Sequence, residues 1–153
     1  MPKKSAGVLL YRFKDALPEV LLFHPGGPFW KKKNLGVWSI AKGEINENEK
    51  PIEAAIRELE EESGIQVRGR LIELQPVRLR SYKIVYAWAL EQDFNPDDLI
   101  SSVFEIEWPP SSGKFVQFPE MDRACWFPVP ESKEKITAGQ LPFIEELEIY
   151  LLT

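Results

Sequence analysis

Residues 43–65 read GEINENEKPIEAAIRELEEESGI, a glutamate-rich segment whose patterning specifies a loop followed by a helix. Pro51 suits the first helical turn, where its missing N–H has no partner to lose. Gly64 suits the left-handed position just past a helix end. Between them, Ile52, Ala55, Ile56 and Leu59 fall at i, i+3, i+4 and i+7, an apolar stripe expected to face the core. Glu58, Glu61 and Glu62 then fall on the face away from that stripe, close enough together to share one ion. Like charges at this spacing repel, so the cluster is unfavourable unless something cationic sits beside it. A hard divalent ion takes several carboxylate oxygens. The same face also reads as a solvated acidic surface, laced by Arg57 and Glu61 at i, i+4.

On the N-terminal side, residues 8–13 and 20–24 are apolar runs separated by Lys14-Asp15-Ala16-Leu17-Pro18, and they read as two strands. Residues 24–34, HPGGPFWKKKN, form a loop by their Pro and Gly content, and residues 36–40 a short strand. On the C-terminal side, residues 67–79 and 82–90 are strand-like and 92–102 a polar loop. Residues 103–108 read as a strand, 109–113 as a turn, 123–129 as a strand of aromatic and small residues, and 131–136 as a short helix. Residues 140–151 form a second long helix, with Leu141, Ile144, Leu147 and Leu151 three or four apart. Strands and helices do not follow a strict βαβα order. The expected fold is therefore mixed α/β (α+β), a mixed sheet sandwiched between helices, in a single domain over residues 1–153.

Hydrophobic residues make up 44% of the chain, enough for a core, which excludes a disordered class. The net charge of −5 gives no general attraction to nucleic acid or anionic membranes, so DNA is not an expected partner. An anionic ligand must instead be met by local basic residues or by a metal. The single cysteine, Cys125, permits no intramolecular disulfide; it reads as a small buried apolar residue in a reducing, cytoplasmic setting. The apolar run at residues 8–11 is too short for a signal segment or a membrane span.

Gly43, Glu49, Arg57, Glu58, Leu59, Glu61, Glu62, Gly64 and Ile65 match every specified position of the Nudix box, G-x5-E-x7-R-E-U-x-E-E-x-G-U with U aliphatic. So long a motif is far more specific than a short one. The chain resembles the Nudix hydrolase family, and the order of its strands and helices agrees. The resemblance implies a Nudix-type α/β/α sandwich with a mixed β-sheet. It implies that Glu58, Glu61 and Glu62 bind Mg2+ or Mn2+, joined by the carbonyl of Lys42. Arg57 would orient the glutamates through charge-assisted bonds, and Glu49 would help fix the loop. A further acidic ligand is expected on the loop before the late Trp strand, Glu120 first, with Asp122, Glu105 and Glu107 behind it. Catalytic roles fall to Glu58, Glu61 and Arg57; Glu58 or Glu61 is the base, and the sequence leaves that choice open.

The implied activity is hydrolysis of a phosphoanhydride bond in a small nucleoside polyphosphate, a dinucleoside polyphosphate or a nucleoside triphosphate. Ile40-Ala41-Lys42-Gly43 resembles the Pro-Lys-Gly stretch of family members acting on dinucleoside polyphosphates, with Ala41 in place of proline. Tyr82 lies 17 positions beyond Ile65 (82 − 65), where such members often carry a tyrosine. Candidate substrate contacts are Lys42, Tyr82, Lys31, Lys32, Lys33 and Trp38. The lysine run also reads as a solubilising loop, and the tryptophans as core. His24 reads as a loop or strand-end residue. An RNA 5′ end remains open as substrate, although the net charge counts against long RNA. The alternative class is a non-catalytic Nudix-fold module that binds a nucleotide or a partner; the complete set of box glutamates weighs against it. Either a monomer or a homodimer is compatible.

Overall fold

The computed structural model describes residues 3–80 and 82–153. Its elements in chain order are β1 (Lys4–Lys14), β2 (Leu17–Pro25), β3 (Ala41–Glu44), α1 (Pro51–Ser63), β4 (Leu71–Glu73), β5 (Val77–Arg78) and β6 (Ile84–Glu91), then β7 (Val103–Glu107), β8 (Phe115–Pro119), β9 (Met121–Pro128), α2 (Val129–Lys135) and α3 (Leu141–Leu152). β1 and β2 form a long hairpin, Leu10 opposite Leu21 and Lys14 opposite Leu17. Asp15 and Ala16 close it with φ of 53° and 66°, the two-residue turn whose twist suits the flanking strands.

β1 is the hub of the sheet, which runs β4-β6-β1-β2-β9 with β3 added to β1 and β5 to β6. The β1–β6 pairing is parallel, Lys4 beside Ile84 through Tyr11 beside Glu91, and the others are antiparallel. The sheet is thus mixed. Side chains alternate across it. Ala6, Val8, Leu10, Leu21 and Phe23 pack with Ala54, Ala55 and Leu59 of α1. Leu9, Tyr11, Val20 and Leu22 pack on the other face with Phe143, Ile144 and Leu147 of α3. Helices on both faces explain why β1 and β2 read as continuous apolar runs rather than alternating ones, and the result is the expected α/β/α sandwich. β7 and β8 form a separate two-stranded sheet. No helix among the described residues is long and apolar enough to cross a membrane.

Four local expectations change. Residues 36–40 are not a strand: Gly36 turns with φ of 72°, Trp38 and Ser39 make isolated bridges to Ile136 and Phe23, and the strand begins at Ala41. Residues 67–79 break into β4 and β5, because Pro76 between them has no N–H to continue a ladder. β8, unanticipated, pairs Phe118 with Phe104 and Phe115 with Glu107. Cys125 is only partly buried, since β9 is the edge strand.

Burial of α1 also differs from the apolar stripe. Ala54, Ala55, Glu58, Leu59 and Ser63 are buried, while Ile52 and Ile56 are each 36% exposed. Two alanines let the helix approach the sheet closely, and the helix is turned so that Glu58 goes inward. Gly64 caps the helix in the left-handed region, its N–H bonded to the Glu60 carbonyl at 2.8 Å.

Phe143 has no exposed surface, so Phe143→Ala is expected to cost about 3–5 kcal/mol in urea unfolding. Ile56→Ala is expected to cost less than about 1 kcal/mol, as for a half-exposed site. Equal losses would put Ile56 back in the core.

Candidate active site

The box helix and the loop before it meet through one guanidinium. Arg57 Nε donates to Glu49 Oε2 at 2.8 Å and Nη2 to Glu49 Oε1 at 3.0 Å. Its Nη1 donates to Glu58 Oε1 at 2.8 Å and to Glu61 Oε2 at 3.0 Å, and Nη2 also reaches the Glu44 carbonyl at 2.9 Å. Glu49 in turn accepts from the Asn46 N–H at 2.9 Å, which shapes the loop. The Arg57 pairing, then the Asn46 bond, holds the Glu49 carboxyl down to about 2. The bonds to Glu49, then to Glu58, push the Arg57 pKa further up against the effect of burial. The side chain of Glu58 is almost buried and lies against Gly43, where a Cβ would run into its carboxyl group. The glycine that opens the box is therefore the seat of a carboxylate.

A second acidic pair forms on the other side of the cluster. Glu62 and Glu120 line one cavity of about 150 Å³ with Lys42, Phe23, Pro25, Ser39, Ile40 and Met121. Burial, then the charges of Glu120, Glu58 and Glu61, push the Glu62 carboxyl up to about 7, against a smaller downward pull from Lys42. The Lys42 amine is lowered, by burial first and then by Lys83, with Glu62 and Glu58 opposing. Among the described residues no three His, Cys, Asp or Glu side chains already stand as a closed metal cage. Arg57 keeps Glu58 and Glu61 on its own side. The donors are nonetheless all hard carboxylate oxygens, and the raised Glu62 records first its burial and then a repulsion among the acids, both of which a divalent cation would offset. The residues present fit such an ion.

Of the loop acids considered beside Glu120, Asp122 instead bonds His24 Nδ1 at 2.8 Å. Glu107 accepts from the Ser111 N–H at 2.7 Å, and Glu105 is exposed on β7. His24 is a strand-end residue of β2, one of the two places its sequence position allowed, and it is fully buried, which that position did not signal. Trp38 is 3% exposed, packed edge-on against His24 and Phe127 with the Arg123 guanidinium over its ring, so it offers no open ring for a base. This replaces its expected role in substrate stacking with one in the core. Tyr82 is 83% exposed in the turn before β6. Lys31, Lys32 and Lys33 are all exposed in the loop after β2. A larger cleft of about 690 Å³ follows β9 past Trp38, Arg123 and Phe127 and shares Met121 with the carboxylate cavity.

The chain matches the model of the NUDIX domain over residues 1–147. An RNA pyrophosphohydrolase of Bartonella clarridgeiae is 31% identical over 110 residues, 65% of this chain and 56% of that relative. The matched stretch thus spans little more than half of the relative's length. A C. elegans Ap4A hydrolase in a binary complex superposes with a TM-score of 0.68 at 22% identity, over 98% of both chains. The NUDIX domain of Shewanella oneidensis NrtR, complexed with ADP ribose, superposes at 0.67 with 16% identity, over 99% of this chain and 89% of that one. Both structures share the fold.

A raised folded-state pKa means that the folded protein holds the Glu62 proton more tightly than the unfolded chain does. The associated stability is complete below about 4.5 and lost as pH rises through about 7. In chelator, Glu62→Gln is therefore expected to melt above wild type at pH 8. Discounted for solvent screening, the gain is about 1 kcal/mol, or about 2–4 °C, and it shrinks as pH falls to about 5. A melting difference that ignores pH would contradict the upward shift of Glu62.

Proposed function

Since the chain belongs to the NUDIX domain family, matched over residues 1–147 of its 153, we propose that it is a metal-dependent pyrophosphohydrolase that cleaves a phosphoanhydride bond in a nucleoside polyphosphate. The observation that carries this reading is the meeting of Glu62, Glu120 and Lys42 in one cavity, beside Glu58 and Glu61 held by Arg57. The activities named for similar proteins, an RNA pyrophosphohydrolase and an Ap4A hydrolase, support the class. A cytoplasmic location and a single Nudix domain over the whole chain belong to the same reading.

Glu58, Glu61, Glu62, Glu120 and the Lys42 carbonyl would hold Mg2+ or Mn2+, and such an ion, when bound, neutralises phosphate charge and acidifies water. Water attacks phosphorus, the anhydride P–O bond breaks, and a carboxylate takes the water's proton. Glu61 is the better placed for that last role. Its side chain is 57% exposed and oriented by Arg57, whereas Glu58 is almost buried between Arg57 and Gly43. Lys42, on the cavity wall, meets phosphate oxygens as charge builds on them.

The test incubates the chain with Mg2+ and diadenosine tetraphosphate, nucleoside triphosphates or ADP-ribose, and identifies the products. Wild type is expected to turn over at least one of them and to stop in chelator. Glu61→Gln should lose about 100-fold or more. Equal turnover by both proteins removes Glu61 from the chemistry, and nucleotide binding without any product would make the chain a binding module.

A further inference from the structure

Residues 26–34 leave β2 and return beside it, and both ends of this loop are fastened next to the carboxylate cavity. At the near end the Gly26 N–H donates to the Glu120 carbonyl at 2.9 Å. A Cβ at Gly26 would run into the Pro119 carbonyl, so only glycine permits this approach. At the far end His24 Nε2 donates to the Lys33 carbonyl at 2.7 Å. That ring is fully buried, with Nδ1 held by Asp122 and Trp38 packed at 5.1 Å between ring centroids. A buried ring bonded at both nitrogens is a rigid anchor.

Between these fastenings the loop presents an aromatic and cationic apex. Phe29 is 55% and Trp30 40% exposed, and Lys31, Lys32 and Lys33 are exposed with them. Phe29 is braced edge-on by Trp108, from the end of β7, at 5.3 Å and 80°. Lys33 Nζ lies 5.2 Å from the Trp30 ring centre. Lysines alone would make a loop soluble; exposed rings among them offer a surface suited to a ligand with both a flat π-face and negative charge. Trp30 lies four positions beyond Gly26, at most about 14 Å of chain, so the apex stands within a polyphosphate's reach of Glu120.

We propose that the apex of loop 26–34 binds the nucleobase of a nucleoside polyphosphate by stacking on Phe29 and Trp30, while Lys31, Lys32 and Lys33 hold the phosphates leading to the carboxylate cavity. The proposal rests on reading that cavity as a polyphosphate hydrolase site. The nucleoside, and not only the phosphate chain, then selects the substrate. The position of the apex sets how many phosphates separate the bound base from the bond that is cut.

Equilibrium binding to the full chain tests this without turnover. The probes are the methylene-bridged, non-hydrolysable analogue of diadenosine tetraphosphate and inorganic tripolyphosphate, both with Mg2+. Wild type is expected to bind the nucleotide on the order of tenfold more tightly than tripolyphosphate, as stacking of one base allows. The double variant Phe29→Ala/Trp30→Ala should bind the two within about twofold, with tripolyphosphate unaffected. Replacing Lys31, Lys32 and Lys33 by alanine should weaken both ligands together. A preference that survives in the aromatic variant, an equal loss of both ligands there, or an indifferent lysine variant would overturn the proposal. A chain that hydrolyses nothing yet shows the expected binding pattern would sink the hydrolase reading and leave the base site standing.

Discussion

Arg57 is the residue around which the acidic half of the molecule is built. Three carboxylates and one backbone carbonyl converge on its guanidinium, from both ends of the loop that precedes α1 and from the helix itself. Without it, Glu49, Glu58 and Glu61 would face one another unpaired, and like charges about 4 Å apart repel by about 4 kcal/mol at the dielectric of a protein surface. The planar fork matters as much as the charge. Two nitrogens grip Glu49 while the third splits between Glu58 and Glu61, a pattern that a lysine ammonium has no geometry to reproduce. The same bonds leave the free oxygens of Glu58 and Glu61 with fixed directions, which is what a site that positions a substrate needs.

The sheet serves this arrangement by bringing distant segments to one place. β1 pairs with three strands, so β3, which carries Lys42 and Gly43, is laid beside the helix that carries the glutamates. Gly43 lets the loop close down on Glu58, and the inward turn of α1 follows from that contact. From the opposite side β9 pairs with β2, and the irregularity between His24 and Pro25 delivers Glu120 to Glu62. Only the helix contributes more than one carboxylate, and the cavity opens where the ends of β2, β3 and α1 meet the turn before β9.

The helix over Pro51–Ser63 was legible to the residue, because a proline and a glycine mark its ends by backbone geometry alone. Which face it buries was not. Hydrophobicity favoured Ile52 and Ile56, but a carboxylate with its own guanidinium and a glycine seat can be buried at their expense. Glu120 was reachable through family likeness, since nothing in its own neighbourhood distinguishes it from Asp122. The strand-end place of His24 was legible but its anchoring role was not, for that depends on Asp122, 98 positions away. β8 escaped because a five-residue strand that pairs only with β7 has no buried face to impose a pattern. Trp38 shows the converse: an aromatic beside a site reads as a stacking surface until its ring is found enclosed.

Charge raises the last physical question, because a protein of net charge −5 with acids crowded at its mouth repels the polyphosphates it is read as cutting. At physiological ionic strength the screening length is about 8 Å, so acids scattered elsewhere on the surface contribute little at the cavity. What an incoming phosphate meets is local: Lys42 on the wall, a cation if the carboxylates hold one, and the lysine loop tied to the same strand end. The glutamates then need that cation as much as the phosphates do. Glu62, pushed up to about 7 by burial and its acidic neighbours, gives up its proton less readily than a free carboxyl, so ion and substrate each remove an obstacle to the binding of the other.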